Sequence, residues 1–344
     1  MIEKKYKIRY GSPNIFLNED DILEIQDILK SGWVSIGKHV RELEIVFEKR
    51  FGVKYAIACS SATSGLIIAI KSAGWENKRI AVPSFTWPST VYAIESTKNN
   101  TPVFCDIDKD TWIMDMSTVK NYDAVVCVDT FGNQANIDGN GVPVIYDSAH
   151  GFDLPNLGHR GLAEVVSFSF TKLVTAMEGG MILTNDDAFA DTAYELRRLS
   201  SRMGEINAFI AKKSIKYYDE VYDSLKKDMI QIYTDNLEFD FVKQKIETAT
   251  NYSTFCICME NSSIRNLSLC EMEKNNIETK VYYDPIVSGL SNTDYVYSRI
   301  IALPTHSNLT KEMQMEIIKI LNEVSTSSNT PGKRYMKKSG FIKK

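Results

Sequence analysis

A chain of 344 residues, 44% apolar and 24% charged, is long enough to bury a large core and has the makeup of an ordinary folded protein. Its formal net charge of −4 gives no general reason to expect a nucleic-acid partner, and no apolar run approaches the roughly 18 residues that a bilayer requires. The opening MIEKKYKIRY carries lysines but neither an apolar stretch nor a small-residue cleavage site, so no signal peptide and no membrane association are read there, and a cytoplasmic location is expected.

In chain order, residues 20–31 place Ile22, Ile25, Ile28 and Leu29 at helical spacing, with Gly32 as a stop. A second helix is predicted over 39–50, with Val40, Leu43 and Phe47 on one face. Strand-length apolar runs then recur at 55–59, 80–83, 102–107, 124–129, 142–147, 165–170 and 181–184. Several are nearly continuous in Val, Ile, Phe and Tyr, the pattern of strands covered on both faces. Helical stretches at 63–73 and 89–96 separate the early runs, so the sequence predicts an α/β fold with a mainly parallel central sheet.

From 188 to 235 the chain turns helical and polar. Strand character returns at 252–259, followed by a helix over 264–275, a strand over 279–283 and a last helix over 310–324. Thr310 is the expected N-cap of that helix, with Met313, Ile317, Ile320 and Leu321 as its buried stripe. The expected organisation is a large α/β domain over 1–230 with an N-terminal helical segment, a small α+β domain over 231–325 and a flexible basic tail over 326–344. The six cysteines, at 59, 105, 127, 256, 258 and 270, show no metal-ligand spacing and read as free thiols in a reducing compartment. No metal is expected.

Four places carry possible chemistry. Cys59-Ser60-Ser61-Ala62-Thr63-Ser64-Gly65 joins a strand to a helix, where small hydroxyl residues either cap the helix or build an anion site on its free amides. Asp147 closes the apolar run VIYD, either as a cap for the next turn or as a ligand residue at the carboxyl edge of a parallel sheet, with His150 three residues on. Lys172 follows the run SFSFT, and a partly desolvated lysine has a lowered pKa and can attack an aldehyde. Six residues later, Glu178-Gly179-Gly180 allows close backbone approach. Trp87, after PSFT, is either core or a platform for a flat ring. Together the four match what pyridoxal 5'-phosphate (PLP) requires: a helix N-terminus for the phosphate, a carboxylate for the pyridinium, a ring to stack on and a lysine for the aldehyde.

The order and spacing of SGWVSIG (31–37), CSSATSGL (59–66), VPSFTWPSTVYAI (82–94), PVFCDID (102–108), VIYDSAHGFD (144–153), SFSFTKLVTAMEGG (167–180) and LPTHSNLT (303–310) resemble the DegT/DnrJ/EryC1/StrS sugar aminotransferases, of PLP fold type I. The resemblance covers about 31–324. It implies Lys172 as the catalytic residue that holds the cofactor and shuttles the proton, Asp147 at the pyridinium, His150 near the ring hydroxyl and Trp87 stacked on the ring. It further implies Ala62, Thr63 and Ser167 at the phosphate, with the cofactor alternating between PLP and pyridoxamine 5'-phosphate. A homodimer with interfacial active sites is expected, moving an amino group from an amino acid, glutamate, to a nucleotide-linked 4-keto-6-deoxyhexose for surface glycan or O-antigen assembly. Related dehydratases carry His in place of the lysine, and Lys172 argues against that branch. A smaller carbonyl substrate and a silent ligand-binding relative are the alternatives.

Two positions depart from the family pattern. Ala62 stands where Gly is usual, and the long sugar-contacting loop is shortened so that Ser200 occupies the place of an Asn that reaches the neighbouring subunit's phosphate. Arg202 either reaches the substrate or the partner or forms a surface salt bridge.

Overall fold

A computed structural model describes residues 6–328. Helix α1 (Glu19–Ser31) begins at a reciprocal cap between Asn18 and Asp21 and stops at Gly32, whose φ of 72° suits glycine. Helix α2 (Lys38–Phe51) has no capping side chain at Gly37. The amides of Gly37, His39 and Val40 donate instead to the buried carboxylate of Glu205, at 2.8, 2.9 and 3.0 Å.

Seven strands follow: β1 (Tyr55–Cys59), β2 (Arg79–Pro83), β3 (Thr101–Cys105), β4 (Ala124–Val128), β5 (Val144–Asp147), β6 (Ala163–Ser167) and β7 (Gly180–Thr184). They form one sheet in the order β1-β7-β6-β5-β4-β2-β3. β7 is antiparallel to both its neighbours, and every other pair is parallel. The carboxyl ends of β1, β6, β5, β4 and β2 therefore share one edge with the amino end of β7.

Alternate residues of these strands face opposite layers. Ile57, Val165 and Ile182 pack under α3 (Ala62–Ser72), α4 (Pro88–Glu95) and α5 (Asp187–Ser200). Ala58, Val166 and Met181 pack against α2 and α6 (Glu205–Tyr217). Burial on both faces explains why the runs read as continuous rather than alternating.

Helix α6 passes through a π-helical turn, Tyr218–Tyr222, into α7 (Asp223–Asn236). A second sheet, in the antiparallel order β10-β9-β8, consists of β8 (Val242–Lys243), β9 (Phe255–Cys258) and β10 (Ile300–Leu303). With α8 (Ser262–Lys274), α9 (Ser291–Tyr297) and α10 (Lys311–Ser328) these strands complete the described chain. Met229, Tyr233, Ile257, Met272, Ile317 and Leu321 share a core that also takes in Ile8 from the N-terminal segment.

The structure corrects the sequence reading in several places, and helix α9 and strand β8 are absent from that reading altogether. Residues 279–283 form no strand; Lys280 makes one isolated bridge to Ala302, and the chain then turns so that Tyr282 and Tyr283 face the carboxyl edge of the large sheet. The partner of β9 is instead β10, a four-residue run ending at Leu303 just before Pro304. The strand predicted over 165–170 ends at Ser167, because the chain turns to carry Lys172 toward the sheet edge. Helix α10 continues to Ser328, and the basic tail beyond it lies outside the described residues. All six cysteines are unpaired, five of them buried. Among the described residues no helix is long and apolar enough to cross a membrane, and no group of side chains could hold a metal.

Candidate active site

The N-terminus of α3 is capped in a way that leaves part of it open. Ser61 Oγ accepts from the Ser64 amide and Ser64 Oγ from the Ser61 amide, both at 3.1 Å. Capping uses the third amide of the helix. Those of Ala62 and Thr63 find no partner among the described residues, so the cap and the anion site coexist. Ser201 braces this end from behind, its hydroxyl donating to Ser64 Oγ at 2.6 Å and accepting from the Ser60 amide at 3.0 Å.

Gly180 brings β7 against the same turn. A Cβ there would stand 2.7 Å from the Ala62 nitrogen and 2.7 Å from the Ser61 carbonyl carbon. Gly180→Ala is therefore expected to push the turn off the sheet, costing about 1–3 kcal/mol of stability. It should also weaken PLP binding by roughly tenfold or more, as judged by the loss of two aligned amide donors. A thermal melt and a spectroscopic titration with PLP check both parts.

Asp147 ends β5 and is 4% exposed. One oxygen accepts from Thr90 Oγ1 at 2.7 Å and the other from the Ala149 amide at 3.1 Å. Burial pushes its carboxyl above the usual range despite these two donors. Lys172 pulls it down only in part, and Arg160 is engaged elsewhere, with Asp129 at 2.7 Å and with Glu164. Asp147 is thus a buried carboxylate without a paired cation among the described residues.

Lys172 lies in the turn after β6, with its carbonyl held by Asn14 Nδ2 at 3.0 Å. Its Nζ is 2.8 Å from His150 Nε2. Burial lowers the amine to about 8, against the opposing pull of Asp147. His150 is held well below its ordinary value by burial, then by the charges of Lys172 and Lys226. A neutral ring that accepts from Lys172 at Nε2 carries its proton on Nδ1, which then donates to Ser253 Oγ at 2.9 Å. The Tyr283 hydroxyl also faces Nε2, at 3.2 Å.

These groups line a cavity of about 420 Å³. All seven residues singled out from sequence, Ala62, Thr63, Trp87, Asp147, His150, Ser167 and Lys172, are on its wall. Trp87 is 57% exposed and meets Tyr282 and Tyr283 edge-on, at 6.4 and 6.5 Å, so it is not a core residue. Ser200 is not on the wall: it is exposed and its hydroxyl returns to the Leu196 carbonyl at 2.8 Å. Arg202 is exposed as well.

Several contributors were not visible in the sequence. Thr90 sits inside α4 and reads there as a helix residue. Ser253 and Tyr283 reach His150 across 103 and 133 residues of chain, and Tyr10 and Lys280 close the cavity from the other side. No local pattern marks any of them.

The residues present fit PLP. The free α3 amides suit its phosphate, the unpaired Asp147 carboxylate a protonated ring nitrogen, the lowered Lys172 amine its aldehyde, and the exposed Trp87 its ring face.

The family model of the DegT/DnrJ/EryC1/StrS aminotransferase family matches residues 16–322. Among solved structures, DesI in the presence of its TDP-sugar product aligns with a TM-score of 0.85 at 24% identity, over 94% of this chain and 94% of that one. The aminotransferase TlmJ from Streptoalloteichus hindustanus aligns at 0.83 and 20% identity, over 94% and 100% of the two chains. The E. coli GDP-4-keto-6-deoxy-D-mannose-3-dehydratase with bound hydrated PLP aligns at 0.79 and 18%, over 94% and 100%. All three share the fold.

Proposed function

Because this chain belongs to the DegT/DnrJ/EryC1/StrS aminotransferase family and is thereby a PLP-dependent aminotransferase, we propose that it transfers an amino group from glutamate to the keto group of a nucleotide-linked 4-keto-6-deoxyhexose. The observation that carries this reading is the meeting of Lys172, Asp147 and the open α3 amides in one cavity.

Bound PLP supplies an aldehyde that can take up and release an amino group and a ring that draws electrons from the reacting carbon. Lys172, lowered to about 8, keeps a useful fraction of free amine near neutral pH and is placed to hold the cofactor and to move the proton. Asp147 would hold the ring nitrogen protonated. The Ala62 and Thr63 amides, with the Thr63 and Ser167 hydroxyls, would bind the phosphate, and Trp87 would offer its ring to stack on the cofactor. His150 orients the Lys172 amine through Nε2.

For the sugar nucleotide, Lys280 stands on the cavity wall beside Tyr10 and Tyr282; its Nζ pairs with Glu278 Oε1 at 3.2 Å, a half-exposed ion pair weak enough for the amine to turn to a diphosphate. Lys280→Ala is expected to raise KM for the nucleotide sugar roughly tenfold, by loss of one charge-assisted hydrogen bond. The rate of the half-reaction with glutamate should stay unchanged in that variant. A matching loss in both half-reactions would remove Lys280 from the sugar site.

We further propose a homodimer with the site at its interface. Trp87, Phe170 and Met177 are exposed at or beside the cavity wall, where a partner surface would cover them. The division into 1–230 and 231–325, a cytoplasmic location and a role in surface glycan or O-antigen assembly belong to the same proposal.

A smaller carbonyl acceptor is favoured by one observation: only residues 201–204 link α5 to α6, which leaves no long loop there to enclose a sugar. The first test is the visible spectrum of the holoenzyme. A yellow band that glutamate bleaches, and that a nucleotide-linked keto sugar restores, supports the proposal. Restoration by small carbonyl compounds alone moves the substrate to the second reading, and a band untouched by glutamate overturns the donor.

A further inference from the structure

Lys226 is a second buried lysine near the site, and the chemistry above does not use it. It lies on α7, shortly after the π-helical turn, and is 3% exposed. Its Nζ donates to the Ser253 carbonyl at 3.1 Å and lies 5.7 Å from the centre of the Tyr222 ring. Among the described residues it has no carboxylate partner, and burial lowers its amine to about 7. A buried ammonium without a counter-ion is costly, and a well-packed apolar side chain of similar size would avoid that cost. Bonding one carbonyl does not offset that.

The residue that Lys226 holds is the one that holds His150. Ser253 presents its hydroxyl to His150 Nδ1 at 2.9 Å, and His150 Nε2 faces Lys172 Nζ at 2.8 Å. The two lysines are thus connected to the two nitrogens of one imidazole. The other groups facing the ring are the Tyr283 hydroxyl at 3.2 Å and the edge of Phe131, 6.2 Å between centres. Among the described residues no carboxylate pulls on the ring; Asp147 acts on Lys172 and Tyr283, and Cys256 acts on Lys226.

We propose that Lys226 is a positioning residue: by holding Ser253 and by its own positive charge, it keeps His150 uncharged with its proton on Nδ1, leaving Nε2 free to accept from Lys172. A protonated His150 would turn Nε2 into a donor and repel the Lys172 ammonium. The proposal rests on Lys172 as the reacting amine, but its first test does not use turnover.

The chain holds four histidines, His39, His150, His159 and His306, few enough to assign by single replacements in a labelled sample. In the apoprotein, imidazole nitrogen and carbon shifts should show His150 neutral, with the proton on Nδ1, down to acid pH. In Lys226→Met the His150 titration should move up by about one pH unit, as expected from removing one nearby charge. Lys226→Arg, which keeps the charge, should restore most of the difference. In the holoenzyme, the acid limb of kcat/KM should move to higher pH in Lys226→Met by the same amount, since a group that must stay unprotonated now binds its proton sooner.

A folded Lys226→Met protein with an unchanged His150 titration and tautomer overturns the proposal. Should that variant fail to fold, Lys226→Gln decides, because it removes the charge and keeps a donor for the Ser253 carbonyl. A His150 titration moved up by about one pH unit there supports the proposal, and an unchanged titration overturns it. If His150 shifts as expected while the enzyme never transaminates, the functional reading fails and this one stands.

Discussion

Lys172→Ala is expected to abolish transamination while the fold remains. The expected loss is on the order of 10⁴ or more, since on the proposed reading the variant would remove both the covalent anchor and the proton carrier. The visible band of the lysine-bound cofactor should disappear as well. Stability should change little. Burial depresses the Lys172 amine, so the charged lysine opposes folding; its unfavourable share is absent above the unfolded value and grows as pH falls through about 8. Removing it at neutral pH relieves that strain and loses the contact with His150, two small effects of opposite sign. Single-turnover mixing with glutamate, a spectrum and a melting curve check the three parts. Retained turnover would sink the assignment of Lys172, and the other buried amine with a lowered value, Lys226, is not on the cavity wall to replace it.

Asp147→Asn separates function from stability in the opposite sense. In the apoprotein burial raises the Asp147 carboxyl above its unfolded value. The stability it contributes is therefore full below the unfolded value and is lost as pH rises through the folded one, so at neutral pH the ionised side chain opposes folding. An asparagine has no such charge. Its carbonyl can still accept from the Ala149 amide, and the Thr90 hydroxyl can turn to accept from its NH₂. The apoprotein is expected to be as stable as the parent or more so. Activity should fall by roughly 10²–10³, the scale for deleting one preorganised charge at a reacting centre. Near-normal turnover, or a large drop in the apoprotein's melting temperature, would contradict the role given to Asp147.

The sequence was most legible where short-range rules govern. The strands of the large sheet are buried on both faces, so Ala124–Val128 and Val144–Asp147 stand out as unbroken apolar runs. A parallel sheet collects its carboxyl ends along one edge, which is why the helix start after Cys59, Trp87, Asp147 and Lys172 could be placed together from the sequence. Helices α1 to α4 and α8 were found to within a residue or two because helix ends are local, as at Asn18 and Ser61, whereas α9 was missed and α10 runs four residues beyond its predicted end.

The reading failed where the chain leaves such rules. Residues 279–283 carry the β-branched and aromatic character of a strand, yet one bridge is all they make, and their tyrosines go to the cavity. Packing against the large sheet's edge outweighs strand propensity there. The run 165–170 likewise looks like one strand, but only its first part stays in the sheet.

By itself the sequence determined which chemical groups stand at the sheet edge: an amine at 172, a carboxylate at 147, an imidazole at 150 and a helix start just after Cys59. Residue type and spacing along a strand or helix are local properties, and a reader of the chain sees them directly. Only the tertiary structure decided what state those groups are in. Thr90 reaches Asp147 across 57 residues, Ser253 reaches His150 across 103, and Lys226 reaches the Ser253 carbonyl across 27 with no change in local pattern at either end. Burial and long-range partners set the charge of an ionisable group, and both depend on which distant segments the fold brings together.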